Sequence, residues 1–234
     1  MENNSKKILL FDIDGTLLEP AGFGRLCCQR AVEDVVGYPV SADKVEMAGR
    51  TDWQIVNDFL VQGGLDEKGI EHHRQAVFDA LAHHIAGAAP SSNMHALPGA
   101  KPLLKRLTNN PDFVLGLVTG NLRQTVQHKF QAVGINPELF PFGAFGDEHQ
   151  DRNYLPAIAL SRASRLLGYE IPPETALVIG DTPHDIACAR HTGLKVLVVS
   201  TGLHNKEELA KHQPDYLLEG LSETDTVMEI FKTF

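Results

Sequence analysis

The stretch ILLFDIDGTL, residues 8–17, decides the fold. Its first four residues form a short apolar run that ends at Asp12, a pattern typical of a strand buried on both faces of a sheet. Similar runs recur at residues 113–118, 175–179 and 195–199, each followed by a turn and then a helical pattern. Strands that alternate with helices predict an α/β fold with a doubly wound parallel sheet.

A long segment between the first two strands breaks this alternation, because its apolar residues recur only at helical spacing. Its predicted helices cover residues 25–36, 52–61 and 67–86. We therefore expect an inserted α-helical cap domain over residues 19–96, and a Rossmann-like catalytic core over residues 1–18 and 97–234. The predicted helices of the core cover residues 121–133, 153–168, 183–192 and 222–233.

Composition excludes several classes of protein. The 234 residues include 21 basic and 30 acidic ones, a formal net charge of −9, and 43% are hydrophobic. No basic block suits nucleic acid, and no apolar run approaches the roughly 18 residues of a membrane span. The start shows no signal-peptide pattern and the three cysteines form no CxxC pair. We expect a cytoplasmic protein with reduced thiols, a monomer or small homo-oligomer that binds neither nucleic acid nor membrane.

The first motif whose side chains could take part in a reaction is Asp12-Ile13-Asp14-Gly15-Thr16. It stands at the carboxyl end of the first predicted strand, where open α/β sheets bind their ligands. Asp12 could attack phosphorus and form an aspartyl-phosphate, while Asp14 could give a proton to the leaving oxygen and later take one from water. The alternative is an acidic turn, with Asp and Gly present for their turn geometry.

Two further motifs follow later strands in the same way. Thr119-Gly120-Asn121 offers a hydroxyl and free backbone N–H groups to an anion, or else only caps the next helix. Asp181 and Asp185 lie four residues apart at a helix start and offer the oxygen ligands that suit Mg²⁺. Their alternative reading is a capping Asp with a solvated Asp favoured by the helix dipole.

Taken together, the three motifs resemble those of the haloacid dehalogenase superfamily of hydrolases, and the helical insert resembles the cap of that family. The resemblance implies that Asp12 is the nucleophile, Asp14 the general acid and base, and Thr119 a phosphoryl-binding residue. It also implies that Mg²⁺ is bound by Asp12, the Asp14 carbonyl and Asp181, with Asp185 as a further ligand or as a partner of one. Members with an acid at the Asp14 position are mostly phosphatases or phosphomutases, and the chain looks most similar to phosphoglycolate phosphatases.

One motif departs from that family, whose members normally offer a Lys ahead of the helix that follows the third strand. Residues 147–156 contain no Lys, and their only cation is Arg152. We expect Arg152 to offset charge between nucleophile and phosphoryl group, although Arg offers a flat fork rather than a point charge. The alternative is a surface Arg paired with Asp151.

The helical cap is expected to select the substrate. Arg50 lies in the segment Ala48–Asp52, which looks like the cap loop that reaches the substrate in similar phosphatases. Its guanidinium could bind a second anionic group of the substrate, or the segment could be a helix start capped by Thr51.

The function predicted from the sequence is Mg²⁺-dependent hydrolysis of a small phosphate monoester, with a small phosphorylated metabolite as partner. Two alternatives remain open: a phosphomutase that uses the same aspartyl-phosphate on a sugar phosphate, and a non-catalytic phospho-acceptor or binding protein. The proposed carboxylates would repel a phosphate in their cleft, so the acidic motifs themselves imply a divalent cation.

Overall fold

The computed structural model describes residues 6–41 and 45–234, and over these ranges it contains eight β-strands and nine α-helices. The strands are β1 (Lys7–Phe11), β2 (Leu18–Glu19), β3 (His95–Ala96), β4 (Phe113–Val118), β5 (Phe142–Ala144), β6 (Ala176–Gly180), β7 (Lys195–Val199) and β8 (Tyr216–Leu218). The helices are α1 (Phe23–Val36), α2 (Asp52–Gln62), α3 (Glu67–Ala88), α4 (Ala100–Thr108), α5 (Arg123–Val133), α6 (Leu155–Leu167), α7 (Pro183–His191), α8 (Lys206–Ala210) and α9 (Thr224–Thr233).

Six parallel strands form the main sheet, in the order β5-β4-β1-β6-β7-β8. Strand β1 lies at the centre and pairs with β4 on one side and β6 on the other. The predicted parallel α/β sheet is therefore confirmed. Because the three strands that precede the acidic and Thr-containing motifs are neighbours, those motifs meet at one edge of the sheet.

Helices cover both faces of this sheet, since successive residues of a strand point to opposite sides. Phe11 belongs to the core cluster on one face, where its ring packs edge-on against Phe231 of α9 with centroids 6.3 Å apart. Leu10 belongs to the cluster on the other face, together with Ile186 of α7. Burial on both faces explains why the strands appear in the sequence as continuous apolar runs.

The inserted segment forms a helical unit with its own hydrophobic core. Helices α1, α2 and α3 bury a separate cluster that includes Val32, Phe59 and Leu81. Strands β2 and β3 pair antiparallel at its base, with Leu18 opposite Ala96. We place the boundary between core and cap at this ribbon.

Several elements were not foreseen from the sequence: the ribbon of β2 and β3, the short strands β5 and β8, and helices α4 and α8. Strands of two or three residues are too short for a periodicity to show. Helix α5 begins at Arg123 rather than at residue 121, since the residues before it are held in the site described below. None of the helices described has the length and apolar character needed to cross a membrane.

Candidate active site

Three acidic side chains cluster where the central strands end. Asp12 follows β1, Asp181 follows β6, and Asp185 lies in the first turn of α7. All three are buried, and each offers a ligand oxygen that lies within 4.8 Å of those of the other two. The sequence-predicted carboxylates of these three residues are therefore brought together.

The electrostatics of this cluster favour a cation. Burial raises the pKa of Asp12, Arg152 opposes this, and the charges of Asp185 and Asp14 act with burial, so that the pKa stands at about 6. Burial also raises the pKa of Asp181 well above its ordinary value, and the charges of Asp185 and Asp12 act in the same direction. A bound divalent cation would offset both the lost hydration and the mutual repulsion.

Glycines make room for the Asp181 carboxylate. A Cβ on Gly15 would lie 2.2 Å from its Oδ2 atom, and one on Gly202 would lie 1.8 Å from the same atom. The Thr16 hydroxyl donates to its Oδ1 atom over 3.1 Å. Gly15 also has a φ of 82°, a conformation that side chains rarely adopt. The Gly of the first motif is therefore required both by its turn and by its contact with the carboxylate.

Asp185 has partners for both oxygens. Its Oδ2 atom accepts hydrogen bonds from the Thr182 N–H and hydroxyl, at 2.9 and 2.6 Å, and from the Asp181 N–H at 3.2 Å. The Thr182 hydroxyl in turn caps α7, so the two residues form a capping box. The Oδ1 atom of Asp185 accepts a hydrogen bond from Arg152 over 2.6 Å. The alternative reading, a capping Asp followed by a solvated Asp, is wrong, because Thr182 holds the cap position and Asp185 is fully buried. Asp185 completes the capping box and also pairs with Arg152.

Arg152 lies inside the site rather than on the surface. Its side chain is 5% exposed, and its Nη2 atom lies 2.6 Å from Asp185 Oδ1 and 3.2 Å from Asp12 Oδ1. Burial opposes the charged form, but the charges of Asp185 and Asp12 hold the pKa of Arg152 above its ordinary range. The alternative prediction, a surface Arg152 paired with Asp151, is therefore wrong. Asp151 instead accepts a hydrogen bond from the Asn153 N–H.

The Thr-Gly-Asn motif is not a helix cap. Leu122 occupies the cap position of α5, and its side chain makes no capping bond. The buried Thr119 hydroxyl oxygen instead accepts from the Asn121 side-chain amide over 2.8 Å. Both residues follow β4, the strand that pairs with β1, and Thr119 is fully buried.

Lys129 is a site residue that the sequence reasoning missed. It lies on α5 with its side chain 5% exposed, and its Nζ atom is 2.5 Å from Asp14 Oδ2 and 2.5 Å from Asn121 Oδ1. The sequence does mark this position, because helical spacing places Lys129 on the same face as Thr125 and Val133, and α5 buries that face. A lysine at a position where the helical pattern calls for an apolar residue is rarely buried without a partner.

The loop before α2 docks the cap onto the core. The Asp52 N–H donates to the Gly120 carbonyl over 2.7 Å, and the Asp52 carboxylate accepts from the Leu122 N–H over 2.8 Å. The Thr51 hydroxyl, which also caps α2, donates to the Gln150 carbonyl over 2.8 Å. Arg152 Nη1 donates to the Gly49 carbonyl over 3.2 Å. Core and cap are therefore in direct contact over the site.

Arg50 belongs to this docking loop. Its guanidinium lies 2.6 Å from Asp58 and donates to the Glu46 carbonyl over 3.0 Å. Arg50 also lines the cavity described next. Its contact with a substrate stays a prediction.

A cavity of about 340 Å³ lies between cap and core, above the carboxylate cluster. Its core wall includes Asp12, Asp14, Gly120, Asn121, Lys129, Arg152 and Asp181, and its cap wall includes Arg25, Cys28, Met47, Asp52, Ile55, Leu81 and Ile85. Burial raises the pKa of Cys28 well above its ordinary value, so this residue lines the wall as a neutral thiol.

The chain is similar to several known hydrolases over nearly its whole length. It is 26% identical to a phosphoglycolate phosphatase of Nitrosococcus oceani, covering 95% of this chain and 96% of that one. It is 23% identical to the pyrophosphatase PpaX of Bacillus pumilus, with the same coverage. The crystal structure of a predicted phosphoglycolate phosphatase from Haemophilus somnus matches with a TM-score of 0.69 and 22% identity, covering 97% of this chain and all of that one.

The family comparison agrees with the motifs and with the fold. Residues 9–199 match the family model described as haloacid dehalogenase-like hydrolase, a span that contains the first acidic motif, the inserted helices, Arg152 and the Asp181 motif. The chain belongs to the haloacid dehalogenase-like hydrolase family.

Proposed function

We propose that this hydrolase is a Mg²⁺-dependent phosphatase that cleaves small phosphate monoesters through an aspartyl-phosphate on Asp12. The observation that carries the proposal is the contact of Arg152 with Asp12 inside a buried carboxylate cluster, at the floor of a covered cavity. The names of the relatives, a phosphoglycolate phosphatase and a pyrophosphatase, support phosphoryl chemistry on small substrates.

The residues present fit a divalent metal ion. Asp12 and Asp181 would hold it together with the backbone carbonyl of Asp14, because carboxylate and carbonyl oxygens are the ligands that Mg²⁺ prefers. Asp185 has both oxygens engaged, so we assign it the task of holding Arg152 and the turn before α7. When bound, the metal ion would offset charge and align the phosphoryl group.

Asp12 begins the reaction as the nucleophile. One of its carboxylate oxygens forms a bond to phosphorus as the bond between phosphorus and the leaving oxygen breaks, and Asp14 gives its proton to that oxygen. A water molecule then attacks the phosphorus of the aspartyl-phosphate, its proton passes to Asp14, and phosphate leaves with the Asp12 carboxylate restored. Asp14 is suited to both steps, since it lies two residues from the nucleophile and faces the same cavity.

The phosphoryl oxygens need positive partners during this transfer. Arg152 is fixed by Asp185 and lies beside Asp12, so its guanidinium stands where negative charge collects. The Thr119 hydroxyl oxygen accepts from Asn121, and among the described residues its proton has no acceptor, so it could bind a phosphoryl oxygen. The backbone N–H groups of Gly120 and Asn121 would complete this phosphate site.

The cap limits the substrate to a small ester. The cavity volume of about 340 Å³ lies at the lower end of ordinary ligand sites. Docking of the Thr51 and Asp52 loop onto the core covers one side of the cavity, and this cover would limit the access of water to the acyl-phosphate.

The decisive experiment replaces the nucleophile. Asp12→Asn should lower Mg²⁺-dependent phosphate release by a factor of about 10⁴ or more, because no other described side chain takes its place. Asp112→Asn is the matched control, since Asp112 is exposed and follows α4 well away from the motifs. Acid-quenched wild-type enzyme should retain label from a [³²P]monoester, and hydroxylamine should release it. Wild-type activity in Asp12→Asn would contradict the proposal.

The same assay separates the alternatives. A phosphatase releases inorganic phosphate from a sugar phosphate, whereas a mutase returns an isomerised sugar phosphate. A non-catalytic phospho-acceptor would take up label without repeated turnover.

A further inference from the structure

Lys129 has no task in the reaction outlined above, yet it lies beside the reacting groups. It is the only buried lysine among the residues described, and it reaches from α5 to both the first and the second motif. Burial of an ammonium group is costly unless its protons find acceptors. Because Lys129 also lines the catalytic cavity, packing alone does not explain its burial.

The Asp14 carboxyl depends on Lys129 for its orientation. Its Oδ2 atom lies 2.5 Å from Lys129 Nζ. Within the described part of the chain its Oδ1 atom is buried without a hydrogen-bond partner. Lys129 therefore supplies the one polar contact that the structure shows for this side chain.

Lys129 is itself held in place by the second motif. An ammonium group only donates, so the Asn121 amide must turn its oxygen towards Lys129 and its nitrogen towards Thr119. The Asn121 backbone N–H donates to the same Thr119 oxygen over 3.3 Å. These bonds fix Lys129 to the residues that follow β4. Lys129 in turn fixes Asp14, which follows the neighbouring strand β1.

We propose that Lys129 is a positioning residue that orients Asp14 for proton transfer to the leaving group. The inference rests on the proposed phosphatase function and adds to it a residue outside the three motifs. Lys129 acts through Asp14, so its contribution is greatest where the leaving oxygen needs a proton. If Lys129 instead bound the substrate directly, its replacement would lower kcat/KM by the same factor for all esters.

The test varies the leaving group. We compare kcat/KM of wild type and Lys129→Met for p-nitrophenyl phosphate, whose phenolate leaves without a proton, and for glycerol 2-phosphate, whose alkoxide needs one. The loss for glycerol 2-phosphate should be about 10²-fold, the size of a general-acid contribution, and that for p-nitrophenyl phosphate below about 5-fold. Gln127→Met, at an exposed position of the same helix, should leave both values unchanged.

A double-mutant cycle with Asp14→Asn gives the second readout. Once Asp14 cannot transfer a proton, adding Lys129→Met should change kcat/KM for glycerol 2-phosphate less than about 3-fold, because residues that act as a unit are not additive. Circular dichroism checks the fold of each variant, and Lys129→Gln replaces the Met variant if that one does not fold.

The outcomes separate the two proposals. Equal losses for both esters, or additive losses in the cycle, would overturn the role of Lys129 while wild-type turnover still supports the phosphatase. Absence of turnover of both esters by wild-type enzyme with Mg²⁺ would overturn the proposed function and this inference with it.

Discussion

Replacement of Gly120 by Ala tests whether the docked cap loop belongs to the active state. A Cβ at this position would lie 1.9 Å from the carbonyl oxygen of Arg50 and 3.3 Å from Arg152 Nη1. The first of these atoms is cap backbone, which cannot rotate away as a side chain can. The cap loop must therefore retreat by about 1 Å or more before ordinary van der Waals contact is restored.

This retreat should break the bonds that close the site. The Asp52 N–H bond to the Gly120 carbonyl is 2.7 Å long, and the neighbouring Arg152 bond to the Gly49 carbonyl is 3.2 Å long. A displacement of about 1 Å exceeds the tolerance of either. Because a misplacement of that size can cost about 10²-fold in rate, we expect kcat/KM of Gly120→Ala to fall about 10²-fold. The overpacking should destabilise the closed form by about 1–3 kcal/mol.

Steady-state kinetics with p-nitrophenyl phosphate measure the first effect, and hydrogen exchange at the Asp52 and Trp53 amides measures the opening. The matched control is Gly87→Ala in α3, where an added Cβ meets open space. That variant should keep full activity and gain up to about 1 kcal/mol of stability from its higher helix propensity. Wild-type kcat/KM together with wild-type exchange in Gly120→Ala would show that the loop does not rest on Gly120 during turnover.

Three further predictions concern charge. Removal of divalent metal by EDTA should abolish phosphate release and added Mg²⁺ should restore it, and activity that survives thorough chelation would refute the metal role of Asp12 and Asp181. Arg152→Ala should lower kcat/KM more than Arg152→Lys, because the lysine keeps a charge beside Asp12, although it loses the fork that reaches Asp185 and Gly49; equal rates near wild type for both would place Arg152 outside the reaction. Burial raises the pKa of Asp52 to about 6 in the folded protein from an ordinary 3.8. The folded state then binds the proton more tightly, so wild-type stability should fall as pH rises from about 4 to about 6. Asp52→Asn keeps an acceptor for the Leu122 N–H. Its free energy of unfolding in urea should exceed that of wild type at pH 7 by about 1–3 kcal/mol, since Asp52 is only partly buried, and the gap should close below pH 4; a gap that is the same at both pH values would contradict the cost of a charged Asp52 at this position.

The motifs at the strand ends could be located from the sequence because strands and helices alternate regularly. Asp12, Thr119 and Asp181 each follow an apolar run, and the carboxyl ends of parallel strands share one edge of a sheet. The presence of a helical insert could likewise be predicted, since apolar residues recur at helical spacing in three of its stretches and no strand pattern interrupts them, whereas its boundaries stay a prediction. These features depend on local patterns, which a single sequence displays.

Contacts between segments far apart in the chain could not be found in this way. Asp52 has the pattern of an ordinary helix start, and only the docking of the cap brings its carboxylate within 2.8 Å of the Leu122 N–H. Arg50 has the pattern of an exposed cation, and only the fold places Asp58 within 2.6 Å of it.

The sequence by itself determined the α/β core, its helical insert and the acidic edge where the chemistry is proposed, because these follow from periodicity and from the direction of parallel strands. Only the tertiary structure decided which cation reaches which carboxylate. It sets Arg152 between Asp12 and Asp185, and Lys129 between Asp14 and Asn121. Each of these pairs joins residues from different strands or helices, and the distance between such residues depends on packing that no local pattern records.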